Sequence, residues 1–343
     1  MGWVHIVPFR EDSAALGTAA GAEHAAHLVW LFLAGVTTLA QMARPVLKWA
    51  GGKRQLLDAL YRRFPETYDR YHEPMVGGGA LFFDLEPPAG TINDTNPRLV
   101  SFYRQVRDRP EELIEVLESF DDPGSATDPS REFARTTRSG DTTKNYYYQQ
   151  RALFNRRPNG EDYDLLEEAA LLCYLNRTCF NGLYRENQQG EFNVPEGRYA
   201  DPDWVQREAI RAGSEVLTPV EIYNEDISAV LEWARADDLV YVDPPYEPMS
   251  TTASFTDYSA DGFDREDQNR LLELAEELDD RGVWLIMSNS GVMHDRYESR
   301  GFSVELEGAT RAINSDPDNR DEVDEIVATN VPATTRASTS VSE

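Results

Sequence analysis

The chain reads as an α/β protein, and three observations predict it. Short apolar runs of strand length alternate with helical patterns, as they do when helices cover a sheet. Three of those runs end on or just before an acid: Asp94, Asp226 and Asp243. A glycine loop, Gly77-Gly78-Gly79, follows the first run and precedes an apolar helix start, an arrangement that admits a ligand to the backbone.

At 343 residues the chain is long enough for two domains, or for one with a large insertion. It carries 61 acids against 33 bases, a net charge of −28, which ordinarily argues against nucleic acid. Its lysines are Lys48, Lys53 and Lys144, so nearly all of its basic residues are arginine. This acid-rich, lysine-poor composition is expected of a protein from a salt-saturated cytoplasm, as in a halophile, where surface charge serves solvation rather than partner choice. Two cysteines, Cys173 and Cys179, and five scattered histidines give neither a disulfide framework nor a metal site. A reduced, metal-free, cytoplasmic protein is expected.

The first forty or so residues differ from the rest. The apolar stretch 25–40, interrupted by His27, is too short for an ordinary membrane span. Arg10, Glu11, Asp12 and Glu23 precede it in place of the basic cluster of a secretory leader. Residues 1–41 are expected to be an extension outside the folded domain, disordered or loosely helical, with translation starting at Met42; a membrane anchor is the alternative. Residues 45–57 then hold two of the three lysines. Gly51-Gly52 allows a tight backbone approach before a helix expected near Lys53, whose first-turn amides attract an anion. The glycine spacing and Arg54 exclude a phosphate-binding P-loop. Lys53 is expected to meet a ligand carboxylate, or else to be solvated beside a glycine turn.

Strands are expected near residues 71–74, 90–93, 219–223, 239–242, 283–288, 302–306 and 323–329. Asp94, after the second, suits ribose hydroxyls, or caps the helix that starts near Pro97. Asp226 follows the third and opens a helix with Ile227, Val230 and Leu231 on one face, so it too has a capping alternative. The fourth strand, Leu239-Val240-Tyr241-Val242, delivers Asp243-Pro244-Pro245-Tyr246 to a rim. Prolines cannot donate ladder hydrogen bonds, so this segment leaves the sheet with carbonyls unpaired. An acid, a bare carbonyl and an aromatic ring suit a flat group bearing an exocyclic NH2; a rigid turn with Asp243 as a cap and Tyr246 as packing is the alternative. Residues 265–280 form a helix with Leu271, Leu272, Ala275 and Leu278 on its apolar face. Ser288-Asn289-Ser290 ends the next strand near this rim, or is only a polar turn.

Between the regions of Asp94 and Asp226 lies a segment of another character. Residues 121–143 lack periodicity and read as a loop, and helices follow near 145–156 and 163–177. Leu183 to Arg185 and Glu191 to Val194 flank a turn at Gln189-Gly190, forming a hairpin that carries Arg177, Arg185 and Arg198 among Phe180, Tyr184, Phe192 and Tyr199. Arginines reach guanine edges and phosphates, and aromatics wedge between bases; a surface hairpin with paired charges is the alternative.

Six blocks in one order resemble the Dam-type DNA adenine-N6 methyltransferases. They are Lys48-Trp49-Ala50-Gly51-Gly52-Lys53, Glu73-Pro74 through Gly79, Asn93-Asp94, Asn181-Gly182-Leu183-Tyr184-Arg185, Gly190 through Pro195, and Asp243-Pro244-Pro245-Tyr246. The resemblance runs from about Pro45 to Asn330. It implies a Rossmann-like class I methyltransferase fold, a seven-stranded, mostly parallel sheet closed by an antiparallel hairpin, with a helical and hairpin DNA-recognition insertion. Residues 42–110 and 215–330 would form the catalytic domain, 111–214 the insertion, and 331–343 a disordered tail. The cofactor implied is S-adenosylmethionine, contacted by Trp49, Lys53, Glu73, Gly77, Gly79, Asp94, Asp226 and Asp243. Catalysis would rest on Asp243, Pro244, Pro245 and Tyr246, with no metal. In the family, positions matching Lys48, Arg185, Pro195 and Tyr199 read GATC in double-stranded DNA. Phe180 stands where an aromatic intercalates, with Asn181 beside it, and Arg311 lies in a loop along the DNA backbone. Glu196 departs from the family's usual Phe. The expected enzyme is a monomer without membrane association. A cytosine-N4 methyltransferase and a non-catalytic DNA-binding relative are the alternatives.

If the acidic surface is built for solvation by salt, the Tm followed by circular dichroism will rise as KCl is added. Equal stability in dilute buffer would contradict that expectation.

Overall fold

The computed structural model describes residues 43–49, 51–130, 145–245, 263–310 and 322–337. These residues all lie in the second of the two units into which the chain divides, Gln41–Glu343. The expectations for residues 1–41, for most of the loop after residue 130, for Tyr246, Arg311 and residues 338–343 fall outside the described residues, whereas 331–337, expected to belong to a disordered tail, are held by a 3₁₀ turn at Ala333–Thr335 and by backbone bonds to Phe64 and Glu66.

The strands are β1 (Tyr71–Glu73), β2 (Gly90–Asn93), β3 (Val220–Tyr223), β4 (Leu239–Val242), β5 (Trp284–Ser290), β6 (Ser303–Thr310) and β7 (Glu322–Thr329). Each overlaps the run that the sequence marks out. They form one seven-stranded sheet in the order β3-β2-β1-β4-β5-β7-β6. β1 to β5 run parallel, and β7 is antiparallel to both β5 and β6. From β1 the chain builds outward to β2 and β3, then returns to place β4 and β5 on the other side. This reversal opens a crevice beyond the carboxyl ends of β1 and β4, the usual binding position in such sheets. β1, β2 and β4 are buried along their full length, and β4, Leu-Val-Tyr-Val, accordingly reads as a short unbroken apolar run rather than an alternating one.

The helices are α1 (Leu57–Tyr61), α2 (Ala80–Leu85), α3 (Pro97–Asp108), α4 (Pro110–Glu118), α5 (Tyr146–Phe154), α6 (Leu165–Thr178), α7 (Arg207–Leu217), α8 (Val230–Trp233), α9 (Arg265–Asp280) and α10 (His294–Glu298). α9 begins with a capping box between Asp264 and Asp267 and buries Leu271, Leu272, Ala275 and Leu278, as its periodicity predicts. Two expectations are corrected. The helix foreseen at Lys53 is a single 3₁₀ turn, Lys53–Gln55, and α1 starts only at Leu57, so no α-helical N-terminus lies at Lys53. α3 is capped by Asn96, whose side chain accepts from the amides of Arg98 and Leu99, which leaves Asp94 without a capping role.

Two apolar clusters cover the sheet. One joins Ile92 and Tyr241 to Leu99, Phe102 and Val106 of α3, and runs on without a break into Tyr147, Phe154, Leu171 and Tyr174 of α5 and α6. The other packs Val240, Val242, Leu285 and Met287 against α9. Buried polar contacts fix the strand register. His72 bonds Thr91 at 2.8 Å and Asp238 at 3.0 Å, tying β1 to β2 and to the start of β4. Among the described residues no helix is long and apolar enough to cross a membrane.

Gly90 opens β2 at φ +152, where an added Cβ would lie 1.7 Å from the Tyr71 carbonyl oxygen. Backbone cannot yield as a flexible side chain does, so Gly90→Ala is expected to cost more than about 3 kcal/mol, read as a fall in the urea midpoint.

Candidate active site

The sheet places acids along one rim. Glu73 ends β1, Asp94 follows β2, and Asp243 follows β4. Asp243 is held through one oxygen. Its Oδ1 lies 3.1 Å from Lys53 Nζ and accepts from Ser288 Oγ at 2.8 Å. Tyr241 OH sits 3.0 Å from the same Ser288 oxygen. Since the serine proton is committed to Asp243, the phenol is the donor, and the chain of bonds runs Tyr241 to Ser288 to Asp243. Among the described residues no donor reaches Oδ2. Burial pushes the Asp243 pKa up, while Lys53 and Ser288 oppose that rise.

The prolines divide the work differently from expectation. Both carbonyls were expected to be unpaired, yet Gln268 Nε2 donates to the Pro245 oxygen at 3.3 Å. Among the described residues the Pro244 carbonyl has no such donor, so it remains available. Asn289 in turn donates to Gln268 Oε1 at 3.0 Å, which fixes the amide that holds Pro245. The segment 288–290 is therefore not a polar turn. It is the buried end of β5, and two of its residues brace the Asp-Pro-Pro segment.

Glu73 is buried beside this site. Tyr71 OH donates to its Oε2 at 2.6 Å, and the Phe82 amide adds a bond. Burial, with a smaller contribution from the Asp243 charge, pushes its carboxyl up to about 8. At neutral pH Glu73 thus holds a proton, while Lys53 lies against Asp243 and opposes the rise that burial imposes on it.

The loop after β1 is fixed by its own acids and amides. Asp94 Oδ2 accepts from the Gly77 amide at 3.1 Å, its Oδ1 accepts from Asn96 at 2.9 Å, and burial raises its pKa. Tyr103 OH donates to the Gly77 carbonyl at 2.6 Å. Asn93 donates to the carbonyls of Pro74 and Glu225, joining the exits of β1 and β3. Trp49 lies directly on this loop: a Cβ on Gly78 would come within 2.6 Å of the Trp49 Cβ, so the approach requires glycine. Gly79 adopts a left-handed conformation at the start of α2. Asp226 stands apart in character. Its carboxylate accepts from the Ser228 amide and hydroxyl and pairs with Arg270 at 3.3 Å, so it does cap the turn that follows, and it is exposed.

The segment expected to read a substrate closes over the other side of residues 48 and 49. The Lys48 amide donates to Asn176 Oδ1, and Asn176 Nδ2 donates back to the Lys48 carbonyl and to that of Gly182. Lys48 Nζ lies 3.3 Å from Tyr199 OH and 4.3 Å from the centre of its ring. Phe180 and Asn181 begin a 3₁₀ turn, with Asn181 left-handed and Phe180 exposed. The Phe180 amide donates to the Pro195 carbonyl at 2.9 Å. Beyond them the expected hairpin is present but barely laddered. A Glu186–Phe192 bridge and amides at Asn187 and Asn193 close it. Arg185 Nε donates to Asn193 Oδ1 at 2.6 Å, and Glu196 accepts from Asn145 at 2.6 Å. Sequence reasoning gave no role to the side chains of Tyr71, Asn93, Tyr103 and Tyr241; the available signal was a polar group on a residue that a strand or helix buries, which must find a partner.

A mostly parallel seven-stranded sheet with a glycine loop after β1 and acids along the crevice defines a Rossmann-like methyltransferase. Comparison with known proteins specifies the kind. Residues 49–313 match the D12 class N6 adenine-specific DNA methyltransferases, and the chain belongs to that family. A type II methyltransferase of Lactococcus lactis subsp. cremoris is 38% identical over 289 residues, covering 84% of this chain and 95% of its own. A type II methyltransferase of Methanocaldococcus jannaschii is 37% identical over 289 residues, covering 81% and 95%. The DNA adenine methylase of Escherichia coli K12 is 34% identical over 287 residues, covering 83% and 94%. The chain is accordingly an adenine-specific DNA methyltransferase.

Glu73 makes a pH prediction with a definite sign. Its folded pKa, about 8, lies above the ordinary 4.5 of the unfolded chain, so the stability present at low pH is lost as pH rises through that window. The slope is about 1.4 kcal/mol per pH unit. Glu73→Gln keeps an acceptor for Tyr71 and is expected to remove this slope, measured as the difference in urea stability between variant and parent across the window.

Proposed function

We propose that this enzyme moves a methyl group from S-adenosylmethionine to the N6 amine of an adenine flipped out of a GATC site in double-stranded DNA. The observation that carries the proposal is the arrangement of Asp243, which meets Lys53 and Ser288 through Oδ1, while among the described residues no donor reaches Oδ2 or the Pro244 carbonyl.

The residues present suit the donor. A cofactor with ribose hydroxyls, an aromatic base and an amino-acid end needs acids, close backbone and an aromatic wall. Asp94 with its neighbouring amides, the Gly77-Gly78-Gly79 loop, Glu73, and Trp49 packed on that loop offer these. Asp226 is assigned to the base end. Lys53 is assigned two duties, facing the cofactor's acidic end and keeping Asp243 ionised. When bound, S-adenosylmethionine supplies a methyl carbon made electrophilic by its sulfonium.

The amine of adenine is a weak nucleophile, because its lone pair is delocalised into the ring. Within a duplex it is also out of reach, so the base has to leave the stack at a cost of a few kcal/mol. Tyr246 is assigned to stack on the extruded ring. Asp243 Oδ2 and the Pro244 carbonyl accept the two amine hydrogens, which favours a pyramidal nitrogen with its lone pair aimed outward. Most of the rate then comes from positioning and from a fixed anion near developing positive charge. Phe180 and Asn181 are assigned to the space left by the base, Lys48, Arg185, Pro195 and Tyr199 to reading the site, and Arg311 to the DNA backbone. Lysine and arginine suit guanine acceptors, and apolar contact suits the thymine methyl.

The test is transfer of a labelled methyl group, in high KCl, to duplexes carrying GATC or a scrambled site, followed by nucleoside analysis. N6-methyladenine confined to the GATC duplex is expected, and N6-methyladenine in both duplexes would remove the site assignment. Asp243→Ala should lose at least about 100-fold in kcat. Ser288→Ala removes a bond to the ionised carboxylate, so the acidic limb of its kcat profile is expected at higher pH than in the parent.

A further inference from the structure

Residues 184 to 186 are joined to the wall of the proposed cofactor pocket on both sides of Arg185. On one side, the Tyr184 ring stacks on Trp49, with centroids 5.2 Å apart and planes 25° from parallel. Trp49 in turn rests on Gly77 and Gly78. On the other side, the Tyr184 hydroxyl donates to Glu186, and Glu186 pairs at 3.5 Å with Arg98. Arg98 lies in the first turn of α3, two residues beyond Asn96, the residue whose amide donates to Asp94. Arg98 also meets Glu168 at 3.6 Å, and Arg157 donates to that Glu168 at 2.7 Å. Tyr184, Arg98 and Glu168 are all buried, so these contacts are poorly screened by solvent.

A side chain that stacks on the cofactor wall and is one peptide bond from a base-reading arginine gives each site a physical hold on the other. We infer that Tyr184 and Glu186 are positioning residues which couple cofactor binding to recognition of the DNA site, the Trp49–Tyr184 stack being the main link. The inference rests on the assignments of the donor and of Arg185 made above. A cofactor lying against Trp49 and the glycine loop restricts Trp49, hence the plane of Tyr184, hence the direction in which Arg185 is presented. The coupling must be reciprocal, since a ligand that tightens the second binding step is tightened by it to the same degree. Arg98, Glu186 and the Tyr184 hydroxyl form the second link, from Asn96 and Asp94 to the far side of Arg185.

The test is a binding cycle on the full-length chain. Affinity for a GATC duplex is measured with and without saturating S-adenosylhomocysteine, and likewise for a scrambled duplex. In the parent, this demethylated product should tighten GATC binding by about tenfold and the scrambled duplex much less. Tyr184→Leu, which removes the stack, should bring the GATC factor close to one. Tyr184→Phe keeps the ring and loses the bond to Glu186, so it should retain part of the factor even if the leucine variant folds poorly. A parent factor of one, or a Tyr184→Leu variant that weakens each single affinity yet keeps the parental factor, overturns the inference. Methyl transfer by the parent distinguishes the two levels: absent transfer removes the donor assignment and this inference with it, whereas normal transfer with an unchanged factor removes this inference alone.

Discussion

The contact between Lys53 and Asp243 is the constraint on which the rest of this site depends. Both groups are largely withdrawn from water, and bringing such a pair out of solvent costs about as much as their attraction returns. Stability is therefore a poor explanation for it. Its value is that Lys53, with Ser288, opposes the rise that burial imposes on the Asp243 pKa and gives the carboxyl a fixed orientation. Reaching that arrangement demands several separate features. β4 has to be buried to carry Asp243 to the rim, and the 3₁₀ turn that follows Gly51-Gly52 has to place Lys53 within 3.1 Å of it. β5 must then present Ser288, a polar residue, from the interior of the sheet.

Residues 48 and 49 show how a single extended segment serves two surfaces. Lys48 is clamped through its backbone by Asn176 and reaches Tyr199, whereas the next side chain, Trp49, lies on the glycine loop. The helices at residues 146–178 share one apolar cluster with those flanking the sheet, so the hairpin proposed to read DNA is not an appendage on a flexible stem. A network of buried charges around Arg98 and Glu168 completes the connection. Such networks are costly when partly satisfied, and Arg98 Nη1 and Glu168 Oε1 each lack a well-formed hydrogen bond. Their retention fits a positioning duty better than a stabilising one.

The fold was legible because burial on both faces leaves a simple imprint. Short runs punctuated by glycine or an acid marked the strands, most plainly the buried Leu239-Val240-Tyr241-Val242 of β4. Asp243 and the glycine loop were legible for the same reason, since a strand end is where a sheet delivers side chains. What the sequence hid were partners distant along the chain. Nothing local marks Ser288 as the donor to Asp243, forty-five residues away, whereas Pro97 at the first helical position was a signal for Asn96 rather than Asp94 as the cap of α3. Lys53 misled through its setting, because a glycine pair before a basic residue resembles a helix N-terminus, and here a 3₁₀ turn occupies that place. The Pro245 carbonyl misled in the opposite sense, being paired by a glutamine on α9 that no spacing rule connects to it.

The charge distribution links these observations to how DNA is approached. With a net charge of −28, the long-range field of this chain repels a polyanion. Many arginines cannot soften that field, because they are already matched: Arg63 to Glu305 and Glu307, Arg207 to Glu118, Arg211 to Glu111. Electrostatic steering and counterion release therefore contribute little, and affinity must come from contacts made at close range. Close contacts discriminate only if the groups that make them are held still beforehand. If Arg185 reads the site as proposed, an arginine braced on both sides through Tyr184 and Glu186 would meet that requirement without adding positive charge. In a chain this acidic, rigidity of that segment would take over work that a basic surface otherwise performs.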